Sequence, residues 1–177
     1  MTDETLEFRT VLLTPHIIIP QRASMLNIRT PDLGDIPAII GMAKAFQRNS
    51  LFRECGFDEN KVHGIIQRCM DPTSPYFMVV GLEDGKVLGA FCGSVSEYFF
   101  SRERIATDLA IYVNPEDRRF AYKFLNKAVQ EFEAWAKSRG AREVCIAPAS
   151  GAYSPAFEKY LVKKNYKKVG FISKKGI

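Results

Sequence analysis

The sequence predicts an α/β domain around one mixed sheet, in the order β-α-α-β-β-β-α-β-α-β, and three observations carry that expectation. Apolar residues recur at helical spacing over 36–46, 62–70 and 121–136. Between these stretches lie apolar runs of strand length, Tyr76–Val80, Val87–Phe100 and Thr107–Val113. The first two runs are joined by Glu83-Asp84-Gly85-Lys86, with the hairpin dipeptide Asp-Gly at its centre. No linker divides the pattern, so 26–177 read as one domain. Residues 1–25 read as an N-terminal arm or an extra strand.

Taken in order, Leu26–Arg29 is a short strand. Asp32-Leu33-Gly34-Asp35 supplies an N-cap for a helix carrying Ile36, Ile39, Ile40, Ala43 and Phe46. Asp58-Glu59-Asn60 opens a second helix, which Pro72 ends. Gly89 and Gly93 inside the long return strand signal bends or close backbone approach. From Arg118 to Arg139 the period is helical, with Ala121, Leu125, Ala128 and Phe132 on one side. Lys127–Glu131 and Glu133–Lys137 stand at i,i+4 on the other, and Gly140 is the C-terminal stop. Glu143–Ala147 is then a strand, Ser154–Lys164 a helix and Tyr166–Ser173 a final strand.

With 177 residues, 46% hydrophobic and 25% charged, the chain is not a disordered one. It has no apolar run of about 18 residues, which argues against a membrane-spanning helix, and Val11–Ile19 lacks the flanks of a signal peptide. Four cysteines without CxxC spacing suit a soluble, cytoplasmic protein. His16 and His63 have no Cys or carboxylate at ligand spacing, so no metal site is expected. Residues 104–177 carry 15 Lys/Arg against 7 Asp/Glu, whereas 1–103 carry 10 against 13. That asymmetry suggests an anionic ligand or, equally, a solvated lysine face. Nucleic acid is the weaker reading, because few aromatics interleave the terminal lysines.

Chemistry concentrates at the junction between Asp108 and Phe124. There a strand stops at Asn114-Pro115, Arg118 and Arg119 follow, and a long helix begins at once. A helix start presents unpaired N–H groups and a positive dipole end, to which Arg118, Arg119 and Lys123 add charge for a phosphate. The alternative is a purely structural turn.

The element order and these residues together resemble the GNAT N-acetyltransferase superfamily over roughly residues 26–173. Val113-Asn114-Pro115-Glu116-Asp117-Arg118-Arg119-Phe120-Ala121-Tyr122-Lys123 lies on the family's V-x-P-x-x-R-G-x-G-x-G loop. The motif glycines fall on Ala121 and Lys123, and Arg119 replaces a further glycine. Ser154–Tyr166 overlays the pattern N-x-x-A-x-x-L-Y-x-K-x-G-F, with Ser154 at the Asn, Leu161 at the Tyr and Asn165-Tyr166 at the Gly-Phe. The modified loop and Phe132-Glu133-Ala134-Trp135-Ala136 also look like bacteriophage-encoded members.

The resemblance implies an enzyme that moves acetyl from acetyl-CoA to an amine by direct attack. The acceptor would be a small molecule, a protein lysine or an N-terminal amine. Ile111, Tyr112 and Val113 would contact thioester and pantetheine through their backbone. Arg118, Arg119, Ala121, Tyr122, Lys123 and Ser154 would hold the rest of the cofactor. The base would be Asp108, at the opening of the fourth strand, or Glu97, at the end of the third; each is equally explicable as a strand-end charge. The family's acid tyrosine is replaced by Leu161, so Tyr160 serves only if the helix is rotated, and is otherwise a packing residue. The altered glycines and Leu161 leave a second reading open: a degenerate GNAT-fold protein that binds a protein partner, as a phage or host-binding component or a homo-oligomer.

Overall fold

The structure is a computed structural model that describes residues 25–114, 118–147 and 155–170. The arm, Ser154 and residues 171–173 of the expected last strand lie outside the described residues.

Five strands, β1 (Asn27–Arg29), β2 (Tyr76–Glu83), β3 (Lys86–Glu97), β4 (Arg104–Val113) and β5 (Ala141–Cys145), form one sheet in that order. Neighbours are antiparallel except β4 and β5, which are parallel because α3 (Arg118–Ser138) crosses between them. Helices α1 (Ile36–Arg48) and α2 (Glu59–Met70) cover one face, while α3 and α4 (Pro155–Lys163) lie on the other.

Strand alternation explains this three-layer arrangement. On β2, Met78, Val80 and Leu82 pack under Ile36, Ile39, Ile40 and Ile66, while Phe77 and Val79 meet Phe124, Val129 and Phe132 across the sheet. Asp84 (φ 49°) and Gly85 (φ 76°) both take the left-handed conformation, the geometry of a tight hairpin with right-handed twist. Asp32 caps a single 3-10 turn (Leu33–Asp35) ahead of α1, and Asp58 caps α2 by accepting from Lys61 N–H at 3.0 Å. The buried Asp35 carboxylate accepts from Arg29 at 2.5 and 3.0 Å and from the Asp32 N–H at 2.8 Å. Arg29 holds the Asp35 carboxyl below the usual carboxylate range despite burial.

The glycines in β2 and β3 are where α3 touches the sheet. A Cβ at Gly81 would stand 2.3 Å from the Phe124 ring, at Gly89 2.9 Å from the same ring, and at Gly93 2.5 Å from Phe132. The close approach expected at Gly89 and Gly93 is therefore a contact with the phenylalanines of α3.

Several boundaries move. β3 stops at Glu97 rather than Phe100, because Tyr98 N–H turns to the Glu103 carbonyl at 3.1 Å. β4 begins at Arg104, since Arg104–Thr107 find partners on Glu97–Ser94, so Asp108 lies inside the strand and does not open it. β5 is Ala141–Cys145, two residues earlier than expected. Residues 166–170 of the expected last strand are in no strand.

Candidate active site

The functional part of the sheet is the place where β4 and β5 part. Their described ladder ends at Thr107↔Cys145, while β4 continues to Val113. Asn114 N–H donates to the Leu88 carbonyl of β3 at 2.9 Å. Successive N–H groups of a strand point to opposite edges, so Tyr112 N–H also faces β3. Those of Ile111 and Val113 face the open side. Tyr112 pairs with Ala90 and its side chain lies on the α1–α2 face, half-buried. Leu109 is an extra residue between the Cys92↔Ala110 and Gly93↔Asp108 pairs; this bulge bends β4 just where β5 departs.

Asp108 closes the neck of the splay. Its Oδ1 accepts from Ala147 N–H, just beyond the end of β5, at 2.7 Å. Loss of water around the carboxyl outweighs that bond and its own backbone N–H, and lifts its pKa from 3.8 to about 6. A carboxylate with that affinity is mostly ionised at neutral pH yet accepts a proton readily. Glu97 is exposed and pairs with Arg104 at the other end of the strand. Four residues of β4, roughly 13 Å, separate that rung from Asp108.

Above the splay, the first turns of α3 bring Arg118, Arg119 and Lys123 to the surface; Tyr122 is 66% exposed and Ala121 half-buried. A strand end with outward N–H groups is thus followed in the chain by a cationic helix start. Residues 115–117, between Asn114 and Arg118, lie outside the described residues.

The Tyr160 hydroxyl is engaged by α3. Its hydroxyl lies 3.4 Å from the Leu125 carbonyl of α3, and burial pushes its pKa up to about 12. Tyr166, which stands at the phenylalanine of the family pattern, was not singled out by the sequence. Its hydroxyl donates to Glu133 at 2.8 Å, and burial with this carboxylate raises its pKa well above the usual phenol range. Glu133, expected to pair with Lys137, is held by Tyr166 instead. The legible signal was a hydroxyl on a core position, which needs a polar partner. The Asp108 charge also contributes to the raised Tyr166 pKa.

Two cavities lie away from the splay. One, of about 420 Å³, includes Asp71, Tyr76, Trp135 and Arg139 at the opposite end of the sheet. The other, of about 520 Å³, lies between α1 and α2 and includes Lys44, Glu59 and His63. Among the described residues no helix is long and apolar enough to cross a membrane.

The fold is shared with solved structures. A predicted acetyltransferase with acetyl-CoA from Clostridium acetobutylicum superposes with a TM-score of 0.66 at 12% identity, over 86% of this chain and 96% of that one. The fold is that of the GNAT acetyltransferases. Glucosamine-6-phosphate N-acetyltransferase from Arabidopsis thaliana superposes with a TM-score of 0.64 at 14% identity, over 86% and 98% of the two chains. A transcriptional regulator from Bacillus halodurans C-125 reaches 0.67 at 14% identity, over 86% and 100%. No family model matches the chain, and no curated protein matches it. The fold is thus shared with these acetyltransferases, while Ala121 and Lys123 stand where the resembling motif has glycines.

Proposed function

We propose that the protein is an N-acyltransferase that moves acetyl from acetyl-CoA to an amine. The observation that carries this reading is the β4–β5 splay, with Ile111 and Val113 N–H groups facing it and the Asp108 carboxylate at its neck. The similar structures include a predicted acetyltransferase with acetyl-CoA and glucosamine-6-phosphate N-acetyltransferase, which supports the same chemistry.

In this reading the pantetheine arm lies along the open edge of β4, and Ile111 or Val113 N–H donates to the thioester oxygen as negative charge develops there. Arg118, Arg119 and Lys123 meet the phosphates with charge-assisted hydrogen bonds. These side chains take over from a glycine-lined cradle, for which Ala121 and Lys123 leave less room. The amine nitrogen attacks the carbonyl carbon, the C–N bond forms and the C–S bond breaks. The proton lost by nitrogen passes to Asp108, directly or through water, and the electron pair leaves on the coenzyme A thiolate. A thiol of pKa near 8.5 leaves without an obligatory acid, so Leu161 at the usual tyrosine position does not block transfer. Asp108 is preferred to Glu97 as base because only Asp108 stands at the splay.

Thermal unfolding with millimolar acetyl-CoA tests the reading. At one hundred times its Kd, a ligand that binds only the native state adds about 2.7 kcal/mol, or roughly 5–11 °C for a chain of this size. No shift and no binding heat would refute it in favour of a GNAT-fold protein that binds a macromolecular partner.

A further inference from the structure

β1 covers only part of the outer edge of β2. Its three residues pair with Val80, Gly81 and Leu82, and Pro31 has no N–H with which to carry the ladder further. Val95 N–H donates to the Pro75 carbonyl at 2.9 Å, so residue 75 faces β3. By alternation Phe77 and Val79 face β3 as well, while Tyr76 and Met78 turn their N–H and carbonyl groups to the other edge. The Tyr76 N–H donates to Ser74 Oγ at 3.2 Å. Met78 has no strand partner on that side among the described residues.

The cavity of about 420 Å³ lies against this uncovered edge, with Phe77 and Met78 in its wall. Cys69 and Met70, at the end of α2, line it from one face of the sheet, and Trp135 and Ser138, at the end of α3, from the other. A strand entering between two helix layers is buried on both faces. Such a strand reads as an unbroken apolar run rather than an alternating one. The chain holds that pattern N-terminal to the described residues: Ile17-Ile18-Ile19 is consecutive and β-branched, between Pro15 and Pro20, residues that suit a sheet edge. Eight residue steps separate Ile19 from Asn27, enough to span roughly 26 Å. From the Leu82 rung, where Asn27 sits, back to Met78 is four residues of β2, about 13 Å.

We infer that the N-terminal arm docks back on its own chain, with Ile17–Ile19 lying along the Met78 edge of β2 in the cavity between the ends of α2 and α3. The arm completes the edge that β1 leaves short, and Met78 both donates to it and accepts from it. Docking there is independent of the acyl-CoA reading, because the cavity is at the opposite end of the sheet from the splay.

Hydrogen exchange and fluorescence of the full chain test this. Trp135 is the single tryptophan, its ring packs on Phe77 at 5.3 Å, and it lines the cavity, so its emission reports on the docked segment. Ile17→Asp and Ile18→Asp should each speed exchange of the Met78 amide by roughly tenfold, the worth of one net backbone hydrogen bond. Both should also shift Trp135 emission to the red and increase its quenching by acrylamide. The Phe77 and Val79 amides, turned to β3, should keep their wild-type rates, and Ile18→Val should match the wild type throughout. Met78 and Trp135 signals that are the same in wild type and both Asp variants overturn the docking. So does a wild-type Met78 amide that exchanges as fast as those of the Asp84-Gly85 turn. Phe77 and Val79 rates that rise as much as Met78's mark general unfolding and overturn a local seat for the arm. Met78 protection that falls on dilution overturns docking within one chain in favour of the arm of a second copy.

Discussion

Replacing Asp108 by Asn separates what its charge does for chemistry from what it does to the fold. The amide keeps an oxygen for Ala147 N–H and nearly the same volume, but cannot ionise. A carboxyl whose pKa rises from 3.8 to about 6 on folding binds its proton more tightly in the native state. Native stability therefore declines as pH rises between those values, and the full penalty is present above the upper one. At 1.36 kcal/mol per tenfold change, the rise corresponds to roughly 3 kcal/mol, and residual water contact at a half-buried site reduces it to about 1–3 kcal/mol. Asp108→Asn should thus raise the melting temperature near pH 7.5 by about 3–10 °C and match the wild type near pH 4. In the same protein the acetyl-transfer rate at neutral pH should fall by roughly 10²–10⁴, the usual contribution of a positioned base. Circular dichroism melts at the two pH values, with a coenzyme A thiol-release assay, provide both readings. A variant that melts lower than wild type near pH 7.5 would refute the desolvation argument. An unchanged rate would refute Asp108 as the base.

Gly93→Ala places a methyl 2.5 Å from the Phe132 ring and 3.1 Å from the Thr107 carbonyl, and should destabilise by about 1–3 kcal/mol in urea titrations. Gly41→Ala is the contrasting case: nothing stands within 4 Å inside α1, so the same substitution should stabilise by about 0.5–1 kcal/mol. Asp35→Asn removes the charge that Arg29 and Asp32 N–H address, and should lower stability at neutral pH by about 1–3 kcal/mol. Because the Asp35 carboxyl is held below its ordinary value, its contribution is present at neutral pH and fades as pH falls into the acid range. Acid unfolding of the variant should accordingly be shallower than that of wild type.

Much of the local architecture was legible because it is written in short-range chemistry. The Asp84-Gly85 turn, the Asp58 cap and the Gly140 stop (φ 70°) follow from the conformations those residues favour. On α3 the helical period named Ala128 and Phe132, which are buried, together with Ala121 and Leu125, which are only partly so. Phe120, Phe124 and Val129 fill the core instead, because the face that meets the sheet is set by where β2 and β3 leave room at their glycines. Strand ends were less legible. Whether Tyr98 or Arg104 extends a ladder depends on a partner strand that local composition does not encode.

The sequence by itself determined the α/β class, the places of the helices and the cationic start of α3, because period, caps and charge are properties of neighbouring residues. It also marked Asp108, Tyr160 and Arg118 as chemical candidates, without ranking Asp108 above Glu97. Only the tertiary structure made that distinction. It put Asp108 at the point where β4 leaves β5 and Glu97 at the far rung, and it joined Glu133 to Tyr166 across 33 residues of chain. The physical reason is that a carboxyl's proton affinity is set by water and partners around it. Those are supplied by strands and helices distant in sequence, so desolvation at Asp108 exists only once the sheet has closed around it.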